Sequence, residues 1–411
     1  MSVIVVGAGH AGVSVAAALR AAGHDEPVTL VGDEPELPYQ RPPLSKAYLK
    51  GTADDDAVRL RPASSYAEHG VELRTGDAVA ALDRDACRVR LSSGEDLPYQ
   101  RLVLATGTRP RVLPLLNVDL DGVLALRSLA EARELRARLS AASAVVIVGG
   151  GFIGLELAAA AAALGVPATV VEVVNRVMAR AVTPVMSEHY ARHHREQLGT
   201  DLVLGEGVRG LIDRCGAVQG VELTNGHRVE ADLVVLGVGV TANDELAAAA
   251  GLVVDDGILV DECLRTADPA VFAIGDCARF PSPHAGGLVR LESVQNATDQ
   301  GRAVAAAITG RSAPYRATPW FWTEQGTAKL QIAGILHGHD ELVVRGDPAG
   351  RRFSVFAFRG GMLLGAESVN RPVDHMVVRK CLTAGVGLTP EQAADEDFDL
   401  KMHAAGAVAA G

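Results

Sequence analysis

Val3-Ile4-Val5-Val6-Gly7-Ala8-Gly9-His10-Ala11-Gly12 and, 142 residues later, Val145-Val146-Ile147-Val148-Gly149-Gly150-Gly151-Phe152-Ile153-Gly154 decide how this chain folds. Each stretch opens on four consecutive β-branched residues, the pattern of a parallel strand buried on both faces. Each then passes through G-x-G-x-x-G into an Ala/Leu-rich helix, expected over 11–22 and 153–164. Both helices stop at a glycine, Gly23 and Gly165, where a left-handed C-cap costs least. A proline and a second strand follow, 28–31 and 168–171, each ending near an acid, Asp33 or Glu172. The first glycine permits a tight turn, the second lets backbone approach a pyrophosphate, and the third lets helix and strand pack closely, while the acid accepts from ribose hydroxyls. One such motif is weak evidence. Here strand, helix, spacing and acid agree twice, so the chain carries two dinucleotide-binding βαβ units.

Composition is consistent with this and removes other classes. At 411 residues the chain is long enough for two or three domains, each with its own core. Hydrophobic residues make up 48% and charged residues 22%, which fits neither a disordered chain nor a coiled coil. Glycine is abundant, 44 residues, as expected of many tight turns close to a ligand. Lys+Arg number 39 against 50 Asp+Glu, a net charge of −11, so nucleic acid is not an expected partner. The five cysteines, Cys87, Cys215, Cys263, Cys277 and Cys381, suggest neither a disulfide framework nor a zinc cluster, and no metal is expected. With no signal-peptide pattern at the start and the longest apolar run broken by Gly165 and Pro167, the chain reads as cytoplasmic, with no membrane association.

Leu102-Val103-Leu104 before Ala105-Thr106-Gly107, Leu233 to Gly239, and Val271 to Asp276 read as further buried strands ended by turns. From about Tyr315 the character changes to alternating stretches such as 330–335 and 353–358, an antiparallel sheet followed by a helix near 374–384. The tail after Lys401 is Ala/Gly-rich and expected to be mobile.

Arg41-Pro42-Pro43-Leu44-Ser45-Lys46, Ala105-Thr106-Gly107, Ile274-Gly275-Asp276-Cys277-Ala278, Glu292-Ser293-Val294-Gln295-Asn296-Ala297 and Pro319-Trp320-Phe321-Trp322 carry a resemblance that spans nearly the whole chain. In this motif order the sequence resembles the FAD-dependent, NADH-linked ferredoxin reductases of the putidaredoxin-reductase type, which feed bacterial cytochrome monooxygenases. The resemblance implies an α/β fold of two Rossmann-like domains of the glutathione-reductase type with a C-terminal α+β interface domain. The implied boundaries are 1–113 with 240–315 for FAD, 114–239 for NADH, and 316–411 for the interface domain. It further implies that Gly7, Gly9, Ala11 and Gly12 hold the FAD pyrophosphate, Asp33 its ribose, and Gly275 and Asp276 its ribityl and phosphate region. For NADH it implies Gly149, Gly151, Phe152, Ile153 and Gly154 at the pyrophosphate and Glu172 at the ribose. His10, Arg41, Val79, Ala105, Thr106, Gly107 and Arg127 join the implied cofactor-binding set, as do Glu292, Ser293, Val294, Trp320, Gly237, Val238 and Gly239.

In this chemistry the cofactors react and the protein supplies geometry and charge. Lys46 and Glu156 are the residues the resemblance places at the reacting rings, Lys46 favouring negative charge on reduced flavin and Glu156 holding the nicotinamide carboxamide. Read without it, Lys46 is a solvated loop lysine, and Glu156 an acid in the first helical turn. Phe152 is either an aromatic gate or packed against the 113–116 segment. The Glu172 carboxylate would repel a 2′-phosphate and so favours NADH over NADPH, although Arg176 and Arg180 stand close in sequence. The His193-His194 pair lies in a charged helix, and His284, in a Pro/Gly loop, lacks any Cys or carboxylate companion at ligand spacing.

Rival readings turn on cysteine and on the acceptor. A disulfide reductase needs a redox pair, and no cysteine here has a partner at that spacing; an NADH oxidase or peroxidase would carry one near 41–46. An NADH-dependent reductase of rubredoxin, quinone or a dioxygenase ferredoxin, or a signalling flavoprotein like apoptosis-inducing factor, shares the two nucleotide sites. Between Arg279 and Lys380 there are 13 Lys/Arg against 8 Asp/Glu, which leaves −16 for the rest of the chain. This basic region matches where the resemblance docks an acidic 2Fe-2S ferredoxin, with Arg290, Arg302, Arg311 and Lys329 around Trp322 as the expected patch, on a monomer or weak dimer.

Overall fold

The computed structural model describes residues 1–113 and 118–408, with side chains through 405. The chain groups into two compact units. The first consists of Met1–Gln40, Asp55–Arg109 and Val240–Pro319; the second of Arg41–Asp54, Pro110–Gly239 and Trp320–Gly411.

The core of the first unit is a five-stranded parallel sheet in the order Val271–Ala273, Arg101–Leu104, Val3–Val6, Val28–Val31, Val71–Arg74. All four residues of Val3–Val6 are buried, as a strand covered on both faces requires. The following helix, His10–Ala21, begins one residue earlier than expected and stops at Gly23, which takes φ +80°. The returning strand Val271–Ala273 pairs with Arg101–Leu104, so the Ile274–Asp276 turn belongs to this sheet and not to the one holding Gly149. A second helix, Val294–Ile308, lies against His10–Ala21, and Gly301 makes the approach possible: a Cβ there would stand 2.9 Å from both Ser14 Cβ and Val15 N.

The second unit repeats this plan. Its parallel sheet runs Asp201–Leu204, Ala168–Glu172, Val145–Val148, Leu233–Leu236, Val123–Ala125. Val145 faces Ala168 and Leu233, as Val3 faces Val28 and Arg101, so the duplication extends to the pairing. The helix Phe152–Ala163 again starts one residue before the expected position. Each unit also carries a three-stranded antiparallel meander that the sequence pattern did not reveal, 79–98 in one and 208–230 in the other.

The C-terminal sheet, in the order Trp320–Gln325, Ala328–Gly334, Met362–Val369, Phe353–Arg359, Glu341–Gly346, is antiparallel as expected, and the helix Pro372–Ala384 buries Val377, Val378 and Cys381 with it. The tail departs from expectation. Residues Leu400–Val408 are helical, because the Asp399 carboxylate accepts from the Lys401 and Met402 N–H groups while Leu400 and Ala404 insert into this core.

One buried contact within this unit is pH-sensitive. Glu367, fully buried on Met362–Val369, accepts from the Thr183 N–H at 2.9 Å and the Thr183 hydroxyl at 2.6 Å; Thr183 in turn caps the helix Pro184–Gln197. Burial pushes the carboxyl up to about 7 from its ordinary 4.5, against the hydrogen bonds from Thr183 and the charge of Arg176. A raised carboxyl favours the folded state fully below the unfolded value and loses that contribution as pH climbs through the folded one. Melting temperatures are therefore expected to fall between pH 4.5 and about 7 relative to a Glu367→Gln variant. Parallel curves for the two proteins would show that Glu367 does not titrate in this window.

Candidate functional site

The two glycine motifs build the same cradle. Gly7 takes φ +109°, and a Cβ on it would lie 2.1 Å from the Ala105 carbonyl oxygen; Gly149 takes +111°, with 2.4 Å to the Gly237 oxygen. Gly12 and Gly154 would place a Cβ 1.9 and 2.1 Å from the carbonyl oxygens of Gly7 and Gly149. The protein itself thus demands the first and third glycines. The second ones differ: at Gly9 and Gly151 a Cβ would meet nothing within 4 Å. Glycine there keeps space open outside the protein, which is what close approach of a ligand to backbone needs.

The helix starts lead to the same conclusion. Ser128, Thr183, Ser293 and Thr389 each cap a helix by accepting a backbone N–H. The helices beginning at His10 and Phe152 have glycine N-caps in extended conformation, no side-chain cap and no acid in the first turn. With no side chain capping them, their N–H groups and dipole ends suit an anionic pyrophosphate, so both cradles fit dinucleotides.

The acids behave differently. Asp33 is exposed, with Oδ1 accepting from the Glu34 N–H at 3.1 Å. Glu172 is held by two backbone donors, Gly150 N–H at 2.7 Å and Val174 N–H at 3.1 Å, which fix its carboxylate beside the second cradle. Arg176 is fully engaged within its own loop and the following helix, donating to the carbonyls of Val182 and Ala179 and to the Ser187 hydroxyl. It is thereby withdrawn from recognition of a 2′-phosphate. Arg180 is exposed, close to Gly239.

Of the expected cofactor residues, those at 7–33, 79, 105–107 and 275–294 fall in the first unit. The Ala105-Thr106-Gly107 turn is fastened to Asn243: the Thr106 hydroxyl donates to its carbonyl at 2.6 Å and its amide donates to the Thr106 carbonyl at 2.9 Å. Gly275, at φ +74°, runs against the first glycine helix; a Cβ would come 3.0 Å from that of Ala11, and its N–H donates to buried Gln300 at 2.7 Å. Ser293 caps the Val294 helix, while Val79 and His10 are half-buried.

The remainder, Arg41, Lys46, Arg127, 149–156, Glu172, 237–239 and Trp320, falls in the second unit. Arg41 donates to the Arg127 carbonyl at 2.7 Å. Lys46 Nζ lies 2.7 Å from Glu156 Oε2, with the two side chains 17% and 5% exposed. The Ser45 hydroxyl donates to the same oxygen and the Thr323 hydroxyl to Oε1 at 2.6 Å. Glu156 is the fifth residue of its helix, so complementing the first-turn dipole is not what keeps it there; the ion pair is. Removing one member of such a buried pair costs about 3–5 kcal/mol, because the other charge is left without compensation. Phe152 stacks on Phe321 with ring centroids 4.6 Å apart; the alternative partner segment at 114–116 lies outside the described residues. Trp320 carries the Arg379 guanidinium 4.4 Å over its ring and sits 5.6 Å from Trp322.

All five cysteines are free. Cys277, next to the Gly275–Asp276 turn, is completely enclosed and burial pushes its thiol up, the reverse of what a redox thiolate needs. Among the described residues no group of three His, Cys, Asp or Glu side chains is arranged to hold a metal ion, and no helix is long and apolar enough to cross a membrane.

The residues of the expected basic patch differ in how far they are available at the surface. The Arg290 side chain is only 9% exposed and is engaged by Asp256, Glu292 and the Asp276 carbonyl, which leaves it little surface of its own. Lys329 is paired with Glu324 at 2.9 Å in the second unit. Arg302, 69% exposed, and Arg311 instead flank a groove of about 490 Å³ in the first unit, together with Arg61, which the sequence reading missed. Its floor is made of small residues, among them Ala17, Ala18, Ala21 and Ala305; among the described residues no acid lines it, although Arg302 itself is paired with Asp299 at 3.1 Å.

Two uncapped glycine cradles, one with a fixed ribose-type acid, together with a buried Lys–Glu pair and no redox thiol pair define the class: a two-nucleotide flavoprotein oxidoreductase that couples FAD to NADH. Residues 1–301 match the pyridine nucleotide-disulphide oxidoreductase family and residues 320–404 the reductase C-terminal domain. The chain belongs to the pyridine nucleotide-disulphide oxidoreductase family. It is 50% identical to rhodocoxin reductase of Rhodococcus erythropolis over 98% of this chain and 94% of that protein, and 41% identical to putidaredoxin reductase of Pseudomonas putida over 97% and 96%. Among solved structures, the ferredoxin reductase for the CYP199A2 system from Rhodopseudomonas palustris superposes with a TM-score of 0.96 at 48% identity, covering 98% of this chain and 99% of that one. The covalent putidaredoxin reductase–putidaredoxin complex gives 0.96 at 41% identity over 99% of each chain.

Proposed function

We propose that this enzyme passes electrons from NADH through FAD to an acidic 2Fe-2S ferredoxin that supplies a cytochrome monooxygenase. The carrying observation is the pair of cradles whose middle glycines, Gly9 and Gly151, open onto free space at bare helix starts. Within the three-part division at 113/114, 239/240 and 315/316, Gly7, Gly9, Ala11, Gly12, Asp33, Gly275 and Asp276 hold FAD. Gly149, Gly151, Gly154 and Glu172 hold NADH. When bound, FAD takes a hydride from the nicotinamide and releases electrons singly.

The chain's own residues orient and polarise. Glu156 offers a fixed carboxylate to the carboxamide of the nicotinamide, and the Lys46 ammonium stabilises negative charge at the reacting rings. Phe152, stacked on Phe321, shields that space until NADH enters. The groove rimmed by Arg61, Arg302 and Arg311 receives the acidic ferredoxin. The cytosol suits a protein whose thiols are all unpaired and whose ferredoxin partner is intracellular.

An anaerobic titration of the purified protein tests the cofactor assignment. A flavin absorption band bleached by NADH, with NADPH at least about 100-fold less efficient, is the expected result; Glu172→Gln narrows that gap, because it removes the charge that repels a 2′-phosphate. Absence of a flavin band, or equal reduction by both nucleotides, would refute the FAD assignment or the role of Glu172 respectively.

A further inference from the structure

Glu156 has two carboxylate oxygens with unequal surroundings. Oε2 is supplied by the Lys46 ammonium at 2.7 Å and the Ser45 hydroxyl, whereas the donor to Oε1 is the hydroxyl of Thr323, at 2.6 Å, on the first strand of the C-terminal sheet. Thr323 is fully buried. A hydroxyl has a single proton, so what Thr323 does for Glu156 depends on what else competes for that proton.

The neighbours of Thr323 direct the proton toward Glu156. Gln325, also fully buried, points its amide nitrogen at Thr323 Oγ1 (3.4 Å) and at Met178 Sδ (3.7 Å). Neither the thioether nor a hydroxyl oxygen that already gives its proton away calls for a carbonyl there. The Gln325 carbonyl oxygen faces His194 Nε2 at 2.9 Å, and His194 Nδ1 faces the Thr200 hydroxyl at 3.2 Å. Burial holds His194 down at about 4, so the ring is neutral and carries one N–H. One self-consistent pattern satisfies every group: Thr200 O–H donates to Nδ1, Nε2–H to the Gln325 carbonyl, Gln325 N–H to Thr323 Oγ1, and Thr323 O–H to Glu156. With the amide reversed, its carbonyl would claim the Thr323 proton and Oε1 would lose its donor.

Resting on the reading of Glu156 given above, we infer that Thr323 is a positioning residue for hydride transfer. Through the Gln325–His194–Thr200 chain it is locked as the donor that fixes the Glu156 carboxylate, and it contributes from the interface domain to binding of the nicotinamide end of NADH. Nothing in the local sequence of Thr323 announces this role, since donor and acceptor stand 167 residues apart.

The test compares Thr323→Val, nearly isosteric but without the hydroxyl, with Thr323→Ser, which keeps it, and with Glu156→Gln, all as FAD-loaded proteins. Thr323→Val is expected to slow flavin reduction by NADH about tenfold and to weaken NAD⁺ binding to the oxidised protein several-fold, in line with loss of a hydrogen bond to a charged group. FAD content should stay at the parent level, and Thr323→Ser should recover both readouts to within about twofold. If the valine variant does not accumulate as folded protein, Thr323→Ala against Thr323→Ser makes the same comparison. A valine variant equal to the parent in rate and NAD⁺ affinity, with Glu156→Gln impaired, would overturn the role of Thr323 alone. A serine variant as impaired as valine would also overturn it, by showing that packing is responsible. Normal reduction in Glu156→Gln would overturn the reading of the Lys46–Glu156 pair, and this inference with it.

Discussion

Gly151→Val is expected to yield a folded protein that keeps its flavin but is reduced by NADH at least about 100-fold less effectively, from the summed loss of several charge-assisted contacts to the pyrophosphate. Folding should survive because a Cβ at Gly151 meets no protein atom within 4 Å and its φ of −78° suits any residue. FAD should survive because the other cradle belongs to the other unit. The neighbouring substitution Gly149→Val should behave quite differently. Its Cβ would sit 2.4 Å from the Gly237 oxygen at φ +111°, so little soluble protein is expected. Flavin absorbance, a thermal melt and stopped-flow reduction read all three properties. Normal reduction of Gly151→Val would refute the cradle as the NADH pyrophosphate site, and failure to fold would refute the claim that its open side faces ligand.

Charge reversal at the groove should have the next largest effect. Arg302→Glu with Arg311→Glu changes the local charge by four at a groove none of whose described lining residues is acidic, and it also replaces the Arg302–Asp299 pair by a repulsion. Ferredoxin reduction at low ionic strength is expected to fall about 100-fold, because steering of an acidic partner is lost and repulsion replaces it. Transfer to a small neutral dye should not change. The deficit should shrink as salt rises toward a Debye length of about 8 Å. Arg61→Glu should act in the same direction. A deficit indifferent to salt, or one shared by the dye, would rule the groove out as the docking surface.

The local parts of this architecture were legible in the sequence. A buried strand, a glycine turn and an Ala-rich helix are each encoded within a dozen residues, so both nucleotide units, and even the stop glycines Gly23 and Gly165, could be read from spacing. The forced character of Gly7 and Gly12 could not, since it depends on the carbonyls of Ala105 and Gly7 coming close in three dimensions. Burial was the other obscure quantity. Arg290 looked like any basic residue until the structure tied it to Asp256 and Glu292. Arg61 escaped attention because it lies more than 200 residues upstream of the basic stretch whose groove it joins.

Polar chains across the fold left no sequence signature. His194 sits in a helix that reads as charged and solvated, yet its ring is fully buried against Gln325. The tail was misread for a related reason: alanine and glycine suggested mobility, while the deciding residue was Asp399, a helix cap just ahead of the segment. The Lys46–Glu156 pair joins residues 110 apart, and family resemblance, not pattern, brought them together in advance.

The strand Val271–Ala273, which completes the first sheet beside Arg101–Leu104, fixes an order of events during synthesis. A ribosome adding about 5–20 residues per second needs roughly 10–30 s to travel from the one strand to the other. Throughout that interval Leu102, Val103 and Leu104, all destined for burial, present an unpaired apolar edge, while the interposed Pro110–Gly239 stretch emerges with its own strands. That stretch holds all five strands of the second parallel sheet and can pair internally before the first sheet closes. The first sheet, begun at the N-terminus, thus closes only after every strand of the second parallel sheet has been synthesised, and overproduction should expose that waiting edge to chaperones and to aggregation.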